Sequence, residues 1–197
     1  MNNCLTGTNK FIMVLRRKLH ITELNRKTDE EFKASRKNKI IVVLDNVRSQ
    51  HNIGSVFRTC DAFLVEAIYL CGICATPPNQ EIHKTALGAE KTVNWKYFEN
   101  TEDAIKDLVN SGYIPVAIEQ TEKSIMLDEA EIENKSAYAL IFGNEVKGVG
   151  QSVINMCEST LEIPQFGTKH SFNISVCAGI VLWEFYKQMD ISNTIDR

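Results

Sequence analysis

Short apolar runs recur along the chain, and their composition is typical of buried strands. Each run is about five residues long, rich in Ile, Val, Leu and Ala, without the alternation of a half-exposed strand. Such continuous runs indicate strands covered on both faces, as in a parallel sheet. The runs lie at residues 40–44, 67–71, 114–118, 137–142 and 161–163.

Helical periodicity fills the intervals between these runs. Apolar residues recur at helical spacing over residues 53–63, and Val176, Ile180, Trp183 and Tyr186 form a stripe within residues 173–189. A capping-box pattern begins at Thr28 and predicts a short helix from about Asp29 to Lys37. Shorter helices are predicted at residues 81–87, 101–111 and 151–157.

This alternation of strands and helices predicts the fold class. It is α/β, with a mostly parallel sheet carrying helices on both faces. Ligands of such sheets bind beyond the carboxyl ends of the strands. The loops that follow the strands are therefore the places to look for function.

Charge divides the chain into two parts. Residues 1–39 hold ten Lys and Arg against four Asp and Glu, whereas residues 40–197 hold twelve against twenty-one. We therefore predict a basic, partly helical N-terminal extension over residues 1–38 and one catalytic domain over residues 39–197. A basic arm suits contact with phosphates, although a solvated charged helix explains the charge alone equally well.

Membrane, secretory and metal functions are disfavoured. No apolar run approaches the roughly 20 residues that span a bilayer, and the early apolar cluster precedes its basic residues, the reverse of a signal peptide. We expect a cytoplasmic protein. Cys71 and Cys74 have the spacing of a redox or zinc half-site, but without a second pair or suitably spaced histidines, packing is the favoured explanation and no metal is expected.

The first loop of interest follows the strand at residues 40–44. Asn52 stands at a helix start, Gly54 permits a close approach, and Arg58 lies off the apolar stripe, so the core does not require Arg58. For this loop alone, a capping asparagine plus a surface arginine is the better explanation.

The second loop, residues 143–150, is rich in glycine. Its glycines have the wrong offsets for a dinucleotide fingerprint, and Lys147 is not followed by the Ser or Thr of a phosphate loop. Glu145 would also repel a phosphate. A contact with a neutral or cationic ligand and a plain connector remain equally possible.

The third loop, residues 163–173, precedes the strongly apolar last helix. Ser171 and Asn173 are both good helix caps, and one of them is explained in that way. Both together, with His170 beside them and Pro164 and Gly167 shaping the loop, exceed what a cap needs.

In this order, the three loops resemble the motifs of the SpoU/TrmH branch of the SPOUT RNA methyltransferases, over about residues 40–188. The matching motifs are Asn52-x-Gly54-x-x-x-Arg58-Thr59, Phe142-Gly143-x-Glu145-x-x-Gly148, and Ile163-Pro164 with Ser171-x-Asn173-x-Ser175. Gln165 stands where many relatives have Met, and Phe172 stands where Leu is usual. We expect these two departures to change the lining of the pocket rather than the reaction.

The resemblance implies a C-terminal deep trefoil knot and a homodimer with active sites near the subunit interface. The apolar first and last helices could supply that interface, although core packing explains them equally well. The implied activity is S-adenosylmethionine-dependent methylation of a ribose 2′-hydroxyl in RNA, with tRNA favoured over rRNA by fold-level analogy. The implied cofactor-binding residues are Ile118, Glu119, Gly143, Asn144, Glu145, Ile163, Ser171 and Asn173.

In the family, the arginine matching Arg58 is the leading catalytic candidate. A guanidinium has a pKa above about 12 and is a poor base, so we interpret Arg58 as a fixed cation that stabilises the developing alkoxide. By the same resemblance, the residues that orient Arg58, the ribose and the methionine part of the cofactor are Asn52, Glu145, Ser171 and Asn173. No metal is needed, because a sulfonium is already a good leaving group.

Two other classes of function remain as alternatives. One is a catalytically silent, knotted RNA-binding protein, which the intact set of motif residues disfavours. The other is an α/β enzyme with a nucleotide cofactor, suggested by residues 143–150 and disfavoured by their glycine spacing.

Overall fold

The computed structural model describes residues 17–189, and in this part of the chain seven strands form one sheet. The strands are β1 (Asn38–Asp45), β2 (Val65–Cys71), β3 (Asn94–Phe98), β4 (Ile114–Ile118), β5 (Ile125–Met126), β6 (Tyr138–Phe142) and β7 (Ser159–Glu162). The helices are α1 (Asp29–Ala34), α2 (Gln50–Ala62), α3 (Gln80–Ala86), α4 (Ala89–Thr92), α5 (Thr101–Asn110), α6 (Gln151–Ile154) and α7 (Ile174–Gln188), after a 3₁₀ turn at Ile21–Glu23.

The sheet has the order β3-β2-β1-β6-β4-β7-β5, and every pair of neighbours is parallel. At its centre, Val42 of β1 pairs with Ile68 of β2 and with Leu140 of β6. Strands β2 and β3 follow one another on one side of β1, and the later strands all lie on its other side. The reversal places the carboxyl ends of β1, β6 and β4 side by side, which is where ligands of such sheets bind.

Each face of the sheet carries its own apolar core, so the predicted fold class is confirmed. One face packs against α2 and α7, whose Phe57 and Phe185 are almost fully buried. The other face packs against α5 and α6 through Ile105, Leu108 and Val153. Burial on both faces is the physical reason for the continuous apolar runs in the strands.

The last helix presents a different face to the core from the stripe seen in the sequence. Its buried residues are Ile174, Ala178, Val181, Leu182 and Phe185. Val176 and Trp183 of the expected stripe are half-exposed, and Ile180 is only partly buried. Because α7 is apolar nearly all round, periodicity could not tell its inner face from its outer one. We call Val176, Ile180 and Trp183 the α7 outer strip.

Two short strands and one short helix were not predicted from the sequence, and two predicted helix ends differ from those in the structure. In the edge strand β3, polar residues such as Asn94 and Lys96 interrupt the apolar ones. Strand β5 has only two residues, and both are exposed. The four-residue α4 is too short for a periodic signal. The helix expected to reach residue 157 ends at Ile154, and α1 ends at Ala34 rather than near Lys37.

The N-terminal part packs partly against the body. The hydroxyl of Thr28 accepts the N–H of Glu31, whose carboxylate accepts the N–H of Thr28, so the predicted capping box is present. Phe32 of α1 is buried in the core, and α1 packs against α4. Residues 1–16 of the predicted extension lie outside the described residues. None of the helices within residues 17–189 is long and apolar enough to cross a membrane.

Candidate functional site

A cavity of about 510 Å³ lies at the carboxyl ends of β4, β6 and β7, a size typical of small-molecule sites. Its walls come from the loops that follow these strands and from the start of α7. All eight residues predicted to bind a cofactor line it: Ile118, Glu119, Gly143, Asn144, Glu145, Ile163, Ser171 and Asn173. Gln165 and Phe172, the two departures from the family pattern, also lie in the lining.

The glycines of the 143–150 loop are required by close contacts. Asn144 and Gly148 exchange two backbone hydrogen bonds of 3.0 and 2.9 Å, which close the loop on itself. A Cβ on Gly143 would lie 2.1 Å from the carbonyl carbon of Gly148. Gly148 has a φ of +68°, and a Cβ there would lie 2.2 Å from a carboxylate oxygen of Glu119.

Glu119 joins the loop after β4 to the loop after β6. Its Oε2 accepts the backbone N–H of Val149 at 2.8 Å, and its Oε1 accepts the N–H of Gln120 at 2.9 Å. Two separate walls of the cavity are therefore held together by one carboxylate.

Glu145 joins the second motif to the first. Its carboxylate accepts the backbone N–H groups of Arg48 at 3.2 Å and Ser49 at 3.1 Å, and the side-chain amide of Asn52 at 3.2 Å. Burial opposes ionisation, but hydrogen bonds from backbone N–H groups and from Asn52 outweigh it and lower the pKa of Glu145. The charge also lies at the N-terminus of α2, where the helix dipole favours an anion.

Asn52 completes the link to the third motif. Its Oδ1 accepts the side-chain amide of Asn173 at 3.2 Å, and Asn173 caps α7 by accepting the N–H of Ser175 at 2.9 Å. The cap of α2, however, is Ser49, whose hydroxyl accepts the N–H of Asn52. The structural explanation of Asn52 as a capping residue is therefore wrong, and its amide serves contacts between motifs instead.

Arg58 lies apart from this cluster. It is exposed on α2 and is not among the residues that line the cavity. It lies six residues beyond Asn52, about 9 Å along the helix axis, and forms no ion pair with any residue from 17 to 189. Its neighbour Thr59 faces Gly179 of α7, where a Cβ would lie 4.0 Å from the Thr59 methyl carbon.

Asp45, at the end of β1, is a site residue that the sequence analysis missed. Only 3% of it is exposed. Its carboxylate accepts the Thr101 hydroxyl at 2.6 Å, the backbone N–H of Gly150 at 2.9 Å and the side-chain amide of Asn46 at 2.9 Å. It thus anchors the far end of the 143–150 loop. The available signal was a carboxylate directly after a buried strand.

Cys71 and Cys74 are packed in the core. The thiol of Cys74 donates to the carbonyl of Leu44 at 3.3 Å, and burial raises the pKa of Cys71 to about 12 and that of Cys74 to about 11. Both thiols therefore stay protonated and unreactive at neutral pH. Within the described residues, no group of three or more His, Cys, Asp and Glu could hold a metal ion.

Comparison with known proteins finds RNA methyltransferases of similar sequence and similar fold. The chain is 29% identical over 181 residues to a tRNA (guanosine(18)-2′-O)-methyltransferase of Aquifex aeolicus, covering 90% of this chain and 82% of the relative. A crystal structure of the A. aeolicus TrmH/SpoU tRNA modifying enzyme superposes with a TM-score of 0.74 at 26% identity, over 84% of this chain and 83% of the other. An AdoMet-bound rRNA methyltransferase from Sinorhizobium meliloti superposes with a TM-score of 0.71 at 27% identity, over 80% and 60% of the two chains.

The family match covers most of the sheet and its helices. Residues 39–183 match the SpoU rRNA Methylase family, a span that contains all three loop motifs. The chain therefore belongs to the SpoU rRNA Methylase family.

Proposed function

We propose that this protein is an S-adenosylmethionine-dependent methyltransferase that acts on a ribose 2′-hydroxyl of RNA, with tRNA as the first candidate substrate. One observation carries the proposal: Glu145 and Asn52 join the three motif loops around a single cavity. The A. aeolicus relative is named for tRNA methylation and the S. meliloti structure for rRNA methylation. An rRNA substrate is therefore the alternative.

The residues of the cavity fit S-adenosylmethionine. Ile118, Leu161 and Ile163 supply apolar walls for an adenine ring, and the carboxylates of Glu119 and Glu145 suit a cationic ligand. When bound, this cofactor supplies a methyl group on a sulfonium, a leaving group that needs no metal. The S. meliloti structure contains AdoMet, which supports the assignment.

The chain's own residues act mainly by positioning. Residues 143–148 of the closed loop line the cavity together with Ser171 and Asn173. Asn52, held by Glu145, would orient the ribose relative to the methyl donor. Holding the 2′-oxygen in line with the donor then supplies most of the catalysis.

Arg58 enters this proposal through a homodimer. It is exposed and outside the cavity of its own chain, so it would serve the cavity of a partner subunit or contact ribose brought by RNA. The α7 outer strip supports dimerisation, because Trp183 is 53% exposed and Val176 is 50% exposed on the helix that packs beside Thr59. At the 2′-oxygen, the guanidinium would be a fixed cation stabilising the alkoxide.

Three further features belong to the proposal. The trefoil knot is supported by β6 lying between β1 and β4 and by β7 lying between β4 and β5. A boundary near residue 38 is supported by the family match beginning at residue 39. A cytoplasmic location is consistent with a substrate among tRNA or rRNA.

Two measurements test this function. Calorimetric titration should detect binding of S-adenosylmethionine, and mass-spectrometric mapping of cellular RNA with and without the protein should reveal a ribose methylation that depends on it. Tight binding of NAD or ATP in place of S-adenosylmethionine would refute the cofactor. Cofactor binding without any methylated ribose would favour the catalytically silent alternative.

A further inference from the structure

A second cavity, with a volume of about 750 Å³, lies away from the motif loops. It is formed by the loop before α3, one side of α3, α4 and the start of β3. We call it the Trp95 groove, and its lining consists of Pro77, Pro78, Asn79, Gln80, His83, Lys84, Glu90, Lys91 and Trp95. None of these residues lines the candidate cofactor cavity.

We propose that the Trp95 groove binds an unpaired base of the RNA substrate, with neighbouring phosphates on Lys84 and Lys91. This inference rests on the proposed function for the nature of the substrate. Nothing in the family motifs assigns the groove, which lies between the first and second motifs in sequence.

The floor of the groove suits a flat aromatic ligand. Trp95 is half-buried at the edge of the sheet, so its indole is held in place while part of its surface remains accessible. Pro77 and Pro78 add rigid apolar surface beside it. Proteins bind unpaired RNA bases by stacking them on such aromatic side chains.

The polar rim of the groove is held in a defined state. Glu90 is 9% exposed, and its carboxylate accepts Nδ1–H of His83 at 2.7 Å and the backbone N–H of Gly88 at 3.1 Å. Because an ionised carboxylate can only accept, Nδ1 of His83 carries the proton. Nε2 of the same ring is left to contact a base edge or a phosphate.

The exposed charge at the rim is cationic. Lys84 and Lys91 are both exposed. Lys84 pairs with Glu81 at 2.6 Å, whereas Lys91 has no ion pair with any residue in the described part of the chain. The carboxylate of Glu90 is already engaged by His83. The unpaired charge of Lys91 beside the indole of Trp95, with Lys84 at the same rim, favours a polyanion with stacked bases over an uncharged proline-rich peptide.

The groove is placed to share one RNA strand with α2. Glu81 and Thr85 of α3 contact His51 of α2, whereas His83 turns to Glu90 and lines the groove from the other side of α3. One helix, about 10–12 Å across, therefore separates the groove from the face of α2 that carries His51. A nucleotide near α2 and another in the groove can belong to the same single-stranded segment.

The first test uses the fluorescence of Trp95. The chain has two tryptophans, so Trp183→Phe leaves Trp95 as the only one. A short single-stranded oligoadenylate should quench its emission, and an RNA duplex of the same length should quench it less. The Trp95→Phe protein, which retains only Trp183, is the matched control and should show no such quenching. Quenching by a proline-rich peptide and not by oligoadenylate would overturn the proposal.

The second test measures affinity for unmodified tRNA. Trp95→Ala should weaken binding about five- to a hundredfold, and Lys91→Ala should lower the salt dependence by about one ion. Lys106→Ala, on α5 at the other face of the sheet, removes the same charge as a control and should leave binding unchanged. If Trp95→Ala fails to fold, the exposed Lys91→Ala and the conservative Trp95→Phe still carry the test. Wild-type affinity in both Trp95→Ala and Lys91→Ala would overturn the proposal.

S-adenosylmethionine affinity separates this inference from the proposed function. It should be unchanged in every groove variant, because no groove residue lines the cofactor cavity. Quenching of Trp95 by RNA in a protein that methylates no ribose would refute the proposed function and leave the groove standing. If the groove variants methylate tRNA and bind it with normal affinity, the groove inference would be refuted and the proposed function would stand.

Discussion

Replacing Asp45 with asparagine tests whether this buried carboxylate holds the 143–150 loop to the sheet. Oδ1 of Asp45 accepts from Thr101 and Asn46, and Oδ2 accepts the N–H of Gly150. Asparagine has nearly the same shape but carries an NH₂ group in place of one oxygen. In either orientation that NH₂ faces another donor, the amide of Asn46 or the N–H of Gly150, so at least one partly buried donor loses its acceptor.

The expected cost follows from these contacts. A buried polar group left without a partner costs about 1–3 kcal/mol, and loss of the charge weakens the hydrogen bonds that remain. The free energy of unfolding should therefore fall by about 2–4 kcal/mol, which corresponds to a melting temperature lower by about 5–15 °C for a chain of this size. S-adenosylmethionine affinity should fall as well, because Gly150 ends the loop that lines the cavity.

Thermal and denaturant unfolding, with calorimetric titration of the cofactor, measure both effects. Asp107→Asn is the matched control, because its carboxylate contacts Lys96 and Tyr69 while 42% of the side chain is exposed. It should cost less than about 1 kcal/mol. An Asp45→Asn protein as stable as this control would refute the reasoning, since the buried carboxylate would then contribute no more than an exposed one.

Four further predictions follow from the site and the arm. Arg58→Ala should lower methyl transfer at least about a hundredfold while cofactor affinity stays unchanged, because Arg58 does not line the cavity; near-normal turnover in single-turnover assays would remove it from the mechanism. Folding lowers the pKa of Glu145 from its ordinary value of 4.5, so its stabilising contribution is complete above that value and is lost as the pH falls through the lowered one. The difference in unfolding free energy between wild type and Glu145→Gln should therefore shrink at acidic pH, and a difference independent of pH would contradict it. Gly148→Ala places a Cβ against the carboxylate of Glu119 at a positive φ, so cofactor affinity should drop, whereas Val146→Ala, in the same loop with 82% of its surface exposed, should leave it unchanged. Deleting residues 1–27, which spares the cap of α1 and the buried Phe32, should weaken RNA binding at moderate salt without changing cofactor binding, and an unchanged RNA affinity would exclude the arm as a contact.

The fold class followed from local patterns, whereas the loops proposed to bind the cofactor came from the resemblance to a known family. The β1 strand could be predicted from the sequence because a strand covered on both faces must be apolar throughout. The β3 strand could not be predicted from the sequence, because an edge strand keeps polar residues such as Lys96 on its open side. The buried face of α7 could not be predicted either, because the helix is apolar nearly all round. The sequence does not distinguish the exposed Trp183 from the buried Phe185.

The sequence by itself determined the five buried strands, which loops follow them, and which polar residues those loops carry. The tertiary structure alone decided that Glu145 holds Asn52, 93 residues away, and that Asn173 reaches Asn52 across 121 residues. It also placed Arg58 outside the cavity and left one strip of α7 exposed. The physical reason is that burial of apolar surface has no direction. Burial determines that an apolar run lies inside the protein, whereas the order of the strands in the sheet determines which loops come together.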